Sequence, residues 1–414
     1  MSSNQNQRSK SLTYPTQKVV LKYLDVNLRI KISVLSPDFF SVDHLVPLRI
    51  DSLRLDNNIT RINETTYTVG IYRKYPNGTV PPRLHEEENE NGGVDFDLDR
   101  WGFRDLSMNE VLYPGDVILH GAVDIIEDQD ETRMFHLELQ RNSEQAFMDV
   151  GIRENNIHLE SIKTMLLPFQ CRESNKFPEF EPCLQLTISS PASTTIWRFQ
   201  IPLKLFQAIR NLRSKLFSSR GIIEVNMLVI DMRRKLLRLP EFFKIKTKEI
   251  RIMGAFSLTL NDLSSVIHRS SYPLKVLEAD IMDRVDLEHP DLVSTNTLII
   301  FNETSNHFHT EQLGSIKNRV VYFVNDIFSI NEIVEMIRIW IQTGRNIGSR
   351  LSFKIKELGK VMQLTHHLQL AFETKVVNNI ITISINDSSN LEVVLRQTID
   401  GIPQNIVFVD VVPA

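Results

Sequence analysis

Five short apolar runs in the later part of the chain constrain its fold more than any other feature. They are "EIRI", "PLKVLEAD", "NTLIIF", "RVVYFV" and "RLSFKI", anchored by Ile250, Leu277, Leu298, Val321 and Leu351. The steps between anchors are 27, 21, 23 and 30 residues. Each run has the Val, Ile, Leu and aromatic content of a strand. Helical patterns fill two of the gaps, "LNDLSSVIHRS" and "SINEIVEMIRIWIQTG". In repeats of this period each strand lies parallel to the last. The second helix is the clearest element. Ser329 and Glu332 form a capping box, and Ile330, Ile333, Val334, Ile337 and Ile341 form its buried stripe. Gly344 is its stop.

The spacing resembles the period of leucine-rich repeats but is irregular and lacks a fixed Asn/Cys position, so the segment is repeat-like. The tail, "IITISIN", "LEVVLRQ" and "IVFVDVV", adds strands joined by "DSSN" and "DGIP" turns. From Leu45 to Pro202 the pattern is mostly period two. "LRIDSLRL", "TTYTVGIY", "DVILHGAVDI", "RMFHLELQ", "CLQLTIS" and "IWRFQI" read as strands, separated by turns such as "YPNG" and "YPGD". An antiparallel β domain is expected there.

Charge is unevenly spread. "LHEEENENGGVDFDLD" (84–99) reads as an acidic loop, and from His85 to Glu131 15 acids face two arginines. Residues 204–251 hold 13 Lys and Arg against four acids. Lys244, Lys246 and Lys248 alternate with Ile245 and Thr247, which on a strand puts the three ammonium groups on one face. Such a face tracks phosphates, or it is a solubilising face, or it meets the acidic stretch. No aromatic interleaving accompanies it, and net charge is −4, so nucleic acid is not the expected partner.

The chain has 414 residues, enough for two to four domains at roughly 100–200 residues each. The start, "MSSNQNQRSK", has no apolar signal core, and no membrane-length apolar run follows. Cys171 and Cys183 are the only cysteines, and five Asn-x-Ser/Thr sites are no more than chance gives. An intracellular location, cytoplasm or nucleus, is expected.

Tests for chemistry fail in turn. Asp95, Asp97 and Asp99 start like a calcium loop, but Arg100 stands where Gly is needed and Leu106 where Glu is needed. His307, His309, His366 and His367 have no further ligand at zinc spacing. Gly344 to Gly348 reads as a helix stop and turn. No phosphate loop, nucleophile elbow or H-E-x-x-H occurs. No catalytic, cofactor-binding or metal-binding residue is nominated, and a non-enzymatic protein is expected.

Residues 1–11 read as a polar, disordered tail and 12–44 as a small apolar module. Pro15 suits a first helical turn. Val19, Val20, Tyr23 and Leu24 share a helical face. Residues 28–35 fit a strand or a helix, ended by Pro37. "LTYPTQKVVLKYLDVNLRIKIS", "VPLRIDSLRLDNN", "TYTVGIYRKYP" and "DFDLDRWGFRD" resemble the nematode (Caenorhabditis) F-box C family, as do "LRLPEFFKIK", "HPDLVSTNTLII" and "WIQTGRNIGSRLSF" further on. The resemblance implies a domain of unknown function at 45–203 and favours a helix at 28–35. An F-box opens with Leu-Pro and usually closes with Trp. Here Leu12 and Pro15 stand apart and the next Trp is Trp101, so the match is degenerate. It implies docking of Leu12, Pro15, Val19, Val20, Tyr23 and Leu24 on the Skp-type adaptor of a cullin ubiquitin ligase, with an unknown protein substrate held by the rest. The residues alone leave a second reading open, in which the same side chains pack on the β domain. The expected fold is α+β: a short helical F-box-like start, an antiparallel β domain, and a strand–helix domain over 204–414 with leucine-rich-repeat-like parallel strands. Alternatives are a phosphate-tracking nucleic-acid-binding protein using 233–251, or a structural or host-defence scaffold with no ligase link.

Overall fold

Three short helices come first: α1 (Tyr14–Tyr23), α2 (Val26–Leu35) and α3 (Pro37–Asp43). The computed structural model describes residues 13–105, 111–121, 131–149, 156–200, 202–231, 236–302, 310–378, 380–399 and 402–414. The protein is mixed α/β and divides into two units. One comprises Met1–Ile118, Asp124–Glu224 and Leu236–Lys244, the other Leu119–Val123, Val225–Lys235 and Ile245–Ala414.

After the helices the first unit runs β1 (Arg49–Leu55), β2 (Ile59–Ile62), β3 (Thr65–Lys74), α4 (Arg83–Glu90), β4 (Val117–Ile118), α5 (Glu131–Asp149), α6 (Asn156–Ser174), β5 (Glu181–Ser190), β6 (Ser193–Phe199) and α7 (Leu205–Phe217). Its strands other than β4 lie in the order β1-β2-β3-β5-β6, all antiparallel. Leu205 and Ile209 of α7 pack on Val69, Ile71 and Leu184 of that sheet. The segment after residue 203 is therefore part of this unit's core. Among the described residues, the expected β domain over 45–203 also carries α4, α5 and α6.

Two readings are corrected here. "RMFHLELQ" is not a strand but lies in α5. Its residues have no β-branching, and Leu137 packs with Ile162, Leu166 and Phe169 of α6 and with Phe103. The acidic stretch is not an open loop, because Arg83–Glu90 is helical. Arg83 donates to Glu87 at 2.7 Å and Arg73 pairs with Glu88. Asn89 is buried and acts like a piece of strand: the Arg73 N–H donates to its Oδ1 and its Nδ2 donates to the Arg73 carbonyl, both at 2.9 Å. The two glycines that follow serve close approach. A Cβ on Gly93 would lie 2.6 Å from the Ile71 carbonyl oxygen. That proximity lets Ile71 and Val94 exchange backbone hydrogen bonds of 2.9 and 3.0 Å.

His85, on the inner side of α4, is buried, with Nδ1 2.7 Å from the Tyr75 hydroxyl. Burial, and then the Arg73 charge, pull its pKa from 6.5 down to about 3. Between those values the unfolded chain takes up a proton that the folded chain refuses. Stability therefore falls as pH drops below 6.5, by up to about 1.4 kcal/mol per pH unit. His85→Gln should flatten the stability profile between pH 6 and 4 in denaturant melts. An unaltered slope would place the proton uptake elsewhere.

The second unit contains most of β7 (Ile222–Asp231) and of β9 (Lys244–Ala255), while β8 (Leu236–Leu237) pairs with β4 in the first. Then follow α8 (Phe256–Asp262), β10 (Val276–Asp280), α9 (Arg284–Glu288), α10 (Pro290–Ser294), β11 (Thr297–Ile300), α11 (Thr310–Gly314), β12 (Val320–Phe323), α12 (Ile330–Gln342), β13 (Arg350–Ile355), α13 (Leu358–Phe372), β14 (Val376–Val377), β15 (Ile380–Asn386), β16 (Ser389–Ile399) and β17 (Ile402–Pro413). "LNDLSSVIHRS" holds only the end of α8 and two 3₁₀ turns.

Strands β9 to β13 are parallel neighbours in chain order, and β13 turns antiparallel to β17. The five anchors are in direct register: Ile250 pairs with Leu277, Leu277 with Leu298, Leu298 with Val321, and Val321 with Leu351. All five are buried, one row of side chains across five strands. Asn302 and Asn325 stand at the same offset past their anchors. Asn302 donates to the Ile281 carbonyl at 2.6 Å, and Asn325 to the Phe301 carbonyl at 2.8 Å. Each side chain satisfies a carbonyl beyond the end of the neighbouring strand. Helix α12 has both halves of its capping box, and Ile333, Val334 and Ile337 are buried with Met336 and Trp340, while Ile330 and Ile341 at the ends of the expected stripe are half-buried.

Candidate protein-docking surface

Helices of 10, 10 and 7 residues do not stand alone in water. Local signals start them. Asp25 caps α2 by accepting from the Asn27 and Leu28 N–H groups, each at 3.0 Å. Pro15 and Pro37 sit in first turns, where a missing N–H costs nothing. Residues 28–35 are helical, as the family resemblance favours.

Packing then holds them. Leu21, Val26, Ile30 and Val42 are buried. Asn27 donates to the Ile62 carbonyl at 3.2 Å and accepts from the Tyr67 hydroxyl at 3.0 Å, tying α2 to β2 and β3. Beneath the helices lies a buried ion cluster. Asp43 pairs with Arg29 on one side and with Arg220, just past α7, on the other. Arg29 also donates to the carbonyls of Pro47 and Asp43, each at 2.9 Å. Burial alone would push the Asp43 carboxyl up, but the hydrogen bonds and charges of Arg220 and Arg29 hold it below the usual carboxylate range. Burial, then the Arg220 charge, lower the pKa of neighbouring His44.

The outer side is different. Pro15, Val19 and Tyr23, four residues apart, form an exposed stripe on α1, with Tyr23 78% accessible. Val20 and Leu24 beside them are half-buried. Leu12 lies outside the described residues. Tyr14 is also exposed, as are Leu28 and Leu35 of α2 and Phe40 of α3. The nominated residues thus divide between a margin and an outward stripe. The inward residue of α1 is Leu21, which the face drawn from Val19, Val20, Tyr23 and Leu24 passed over. Together these helices leave several large apolar side chains exposed on a small module.

The remaining candidates have structural duties. Asp97 accepts from the Leu205 N–H at 2.9 Å, at the start of α7, and Asp99 accepts from Trp101 and Phe103 within its own turn. Asp95 accepts from Asn57. His366 and His367 face solvent on α13, and His307 and His309 lie outside the described residues. Among the described residues no group of three or more His, Cys, Asp or Glu is placed to hold a metal ion. Both cysteines are free thiols, pushed up in pKa chiefly by burial.

Much of the basic segment turns inward. Lys204 pairs with Asp105 at 2.7 Å and Arg238 with Asp116 at 2.6 Å, so the basic stretch meets the acidic one. Arg213 is fully buried and donates to Thr60 and to the carbonyls of Asn57, Ile59 and Arg238. Burial brings its pKa down to about 10. On β9, Lys246 and Lys248 share an exposed face, while Lys244, the third of the expected row, is half-buried.

Among known families, a model described as a domain of unknown function (DUF3557) matches residues 204–357. The match begins at α7 and includes all five strand anchors, and it lies beyond the 45–203 segment where such a domain was expected. No curated protein matches the chain. Among the described residues no helix is long and apolar enough to cross a membrane.

Proposed function

We infer that this is a non-enzymatic interaction protein whose opening helices dock on the Skp-type adaptor of a cullin ubiquitin ligase, and whose later strands hold a protein substrate. The observation that carries this is the two-sided character of the module. Its inner side is pinned by Leu21 and the Arg29–Asp43–Arg220 cluster, while Pro15, Val19 and Tyr23 stand outward and exposed. The partner class comes from the F-box C resemblance. The finer fold reading, a leucine-rich-repeat-like stack over β9 to β13, draws support from the in-register anchors and from Asn302 and Asn325 at one offset.

Pull-down of recombinant Skp adaptor by the full chain tests the reading. Val19→Asp with Tyr23→Asp should abolish capture, since each puts a charge where an apolar contact forms. Equal capture by the double variant would move the interface elsewhere, and no capture by the parent would leave a scaffold without a ligase link. The exposed Lys246 and Lys248 favour a second reading, phosphate tracking. Retention on immobilised nucleic acid that falls steeply with salt would support it.

A further inference from the structure

Strand β6 ends the first unit's sheet, with β5 on one side and no described strand on the other. All seven of its residues are exposed. Natural edge strands are blunted by Pro, Lys, a bulge or shortness. This one reads Ser-Thr-Thr-Ile-Trp-Arg-Phe and pairs with β5 without a register shift. Its single charge, Arg198, is drawn back over its own sheet. The guanidinium donates to Gln185 at 2.8 Å and lies 3.8 Å from the Tyr72 ring centroid. On the other face Trp197 and Phe199 stand opposite Leu186 and Leu184 and prolong the apolar face that α7 covers further in. They remain 47% and 39% accessible.

This edge, with no described strand beside it, selects an extended backbone, because alternate N–H and C=O groups point outward along it. We propose that the occupant is β6 of a second copy of this chain, added antiparallel about a two-fold axis at Ile196. Ile196 is the midpoint of Ser193–Phe199, so this register pairs all seven residues. It sets Ile196 against Ile196 of the partner subunit, Thr195 against Trp197 of the partner subunit, and Thr194 against Arg198 of the partner subunit. Aromatic and β-branched side chains meet across the strands, and the two arginines never oppose each other. The contact is self-complementary, as a two-fold interface must be. Seven residues make a small interface beside the roughly 1,200–2,000 Å² of stable complexes, so the dimer forms with rising concentration.

Sedimentation of the full chain should show the mass rising toward twice the monomer as concentration increases. Ile196→Lys and Ile196→Glu should each stay monomeric, because like charges then meet on the axis. Their equimolar mixture should dimerise again. Ile196→Cys should give an oxidised product whose linked peptides join residue 196 to itself. A parent that is monomeric at every concentration would overturn the proposal. So would dimers that persist in Ile196→Lys, or a mixture that is not restored while both variants melt like the parent. Binding of an extended synthetic peptide by a parent that never self-associates would overturn it in favour of a foreign strand.

Discussion

Ile337→Asp should unfold the second unit at temperatures where the parent is intact. Ile337 is fully buried in the middle of the apolar stripe of α12, beside Ile333, Met336 and Trp340. A carboxylate there either stays charged without a partner or takes up a proton and still lacks a full set of hydrogen bonds. Either costs several kcal/mol, against a total stability of about 5–15 kcal/mol for a domain. Ile337→Val removes one methylene and should cost only about 0.5–1.5 kcal/mol. Thermal melts of both variants check the pair. An unchanged melt in Ile337→Asp would mean that the stripe does not pack.

Asp43→Asn should have the second largest effect, in the first unit. The substitution is nearly isosteric, so packing is spared and only charge changes. It leaves Arg29 and Arg220 buried together with no anion between them. Breaking a buried ion cluster by removing one partner costs about 3–5 kcal/mol. Replacing all three by apolar residues of similar volume should cost much less, because no stranded charge remains. The pH dependence has a definite sign. The folded carboxyl sits below its ordinary 3.8, so its contribution is present above that value and is lost as pH falls through the folded value. Denaturant melts at pH 7 and in acid measure this. A melt at pH 7 equal to the parent's would show that the cluster does not hold the helices.

What the sequence revealed follows from the range of the signals. Helix α12 is legible because its cap, stripe and stop lie within 16 residues. The five anchors are legible because each strand is buried on its own local pattern, and their spacing carries over into direct register. Helix α4 was hidden because its anchors, His85 and Asn89, are polar and act by bonding to Tyr75 and Arg73 on another element. A run of glutamates looks solvated until those partners are known. Helix α5 was hidden because a short apolar run fits either period, and α6 decides. The pairing of Asp43 with Arg220 joins residues 177 positions apart, which no local pattern could announce. The opposed charge of the two stretches was visible, but the pairs Lys204–Asp105 and Arg238–Asp116 were not.

The opening helices are held from within by Leu21 and the Asp43 ion cluster, and the proposed docking uses their outer side. Calorimetric titration of the Skp adaptor into the full chain, alongside thermal melting of the same samples, separates the two sides. Saturable binding is expected for the parent and none for the Val19→Asp, Tyr23→Asp double variant, which should melt like the parent because both side chains are exposed. Leu21→Ala should do the reverse, losing about 2–5 kcal/mol of stability while its folded fraction still binds. Binding by the double variant equal to the parent's, or a collapsed melt in it, would rule out docking through the outer side of these helices.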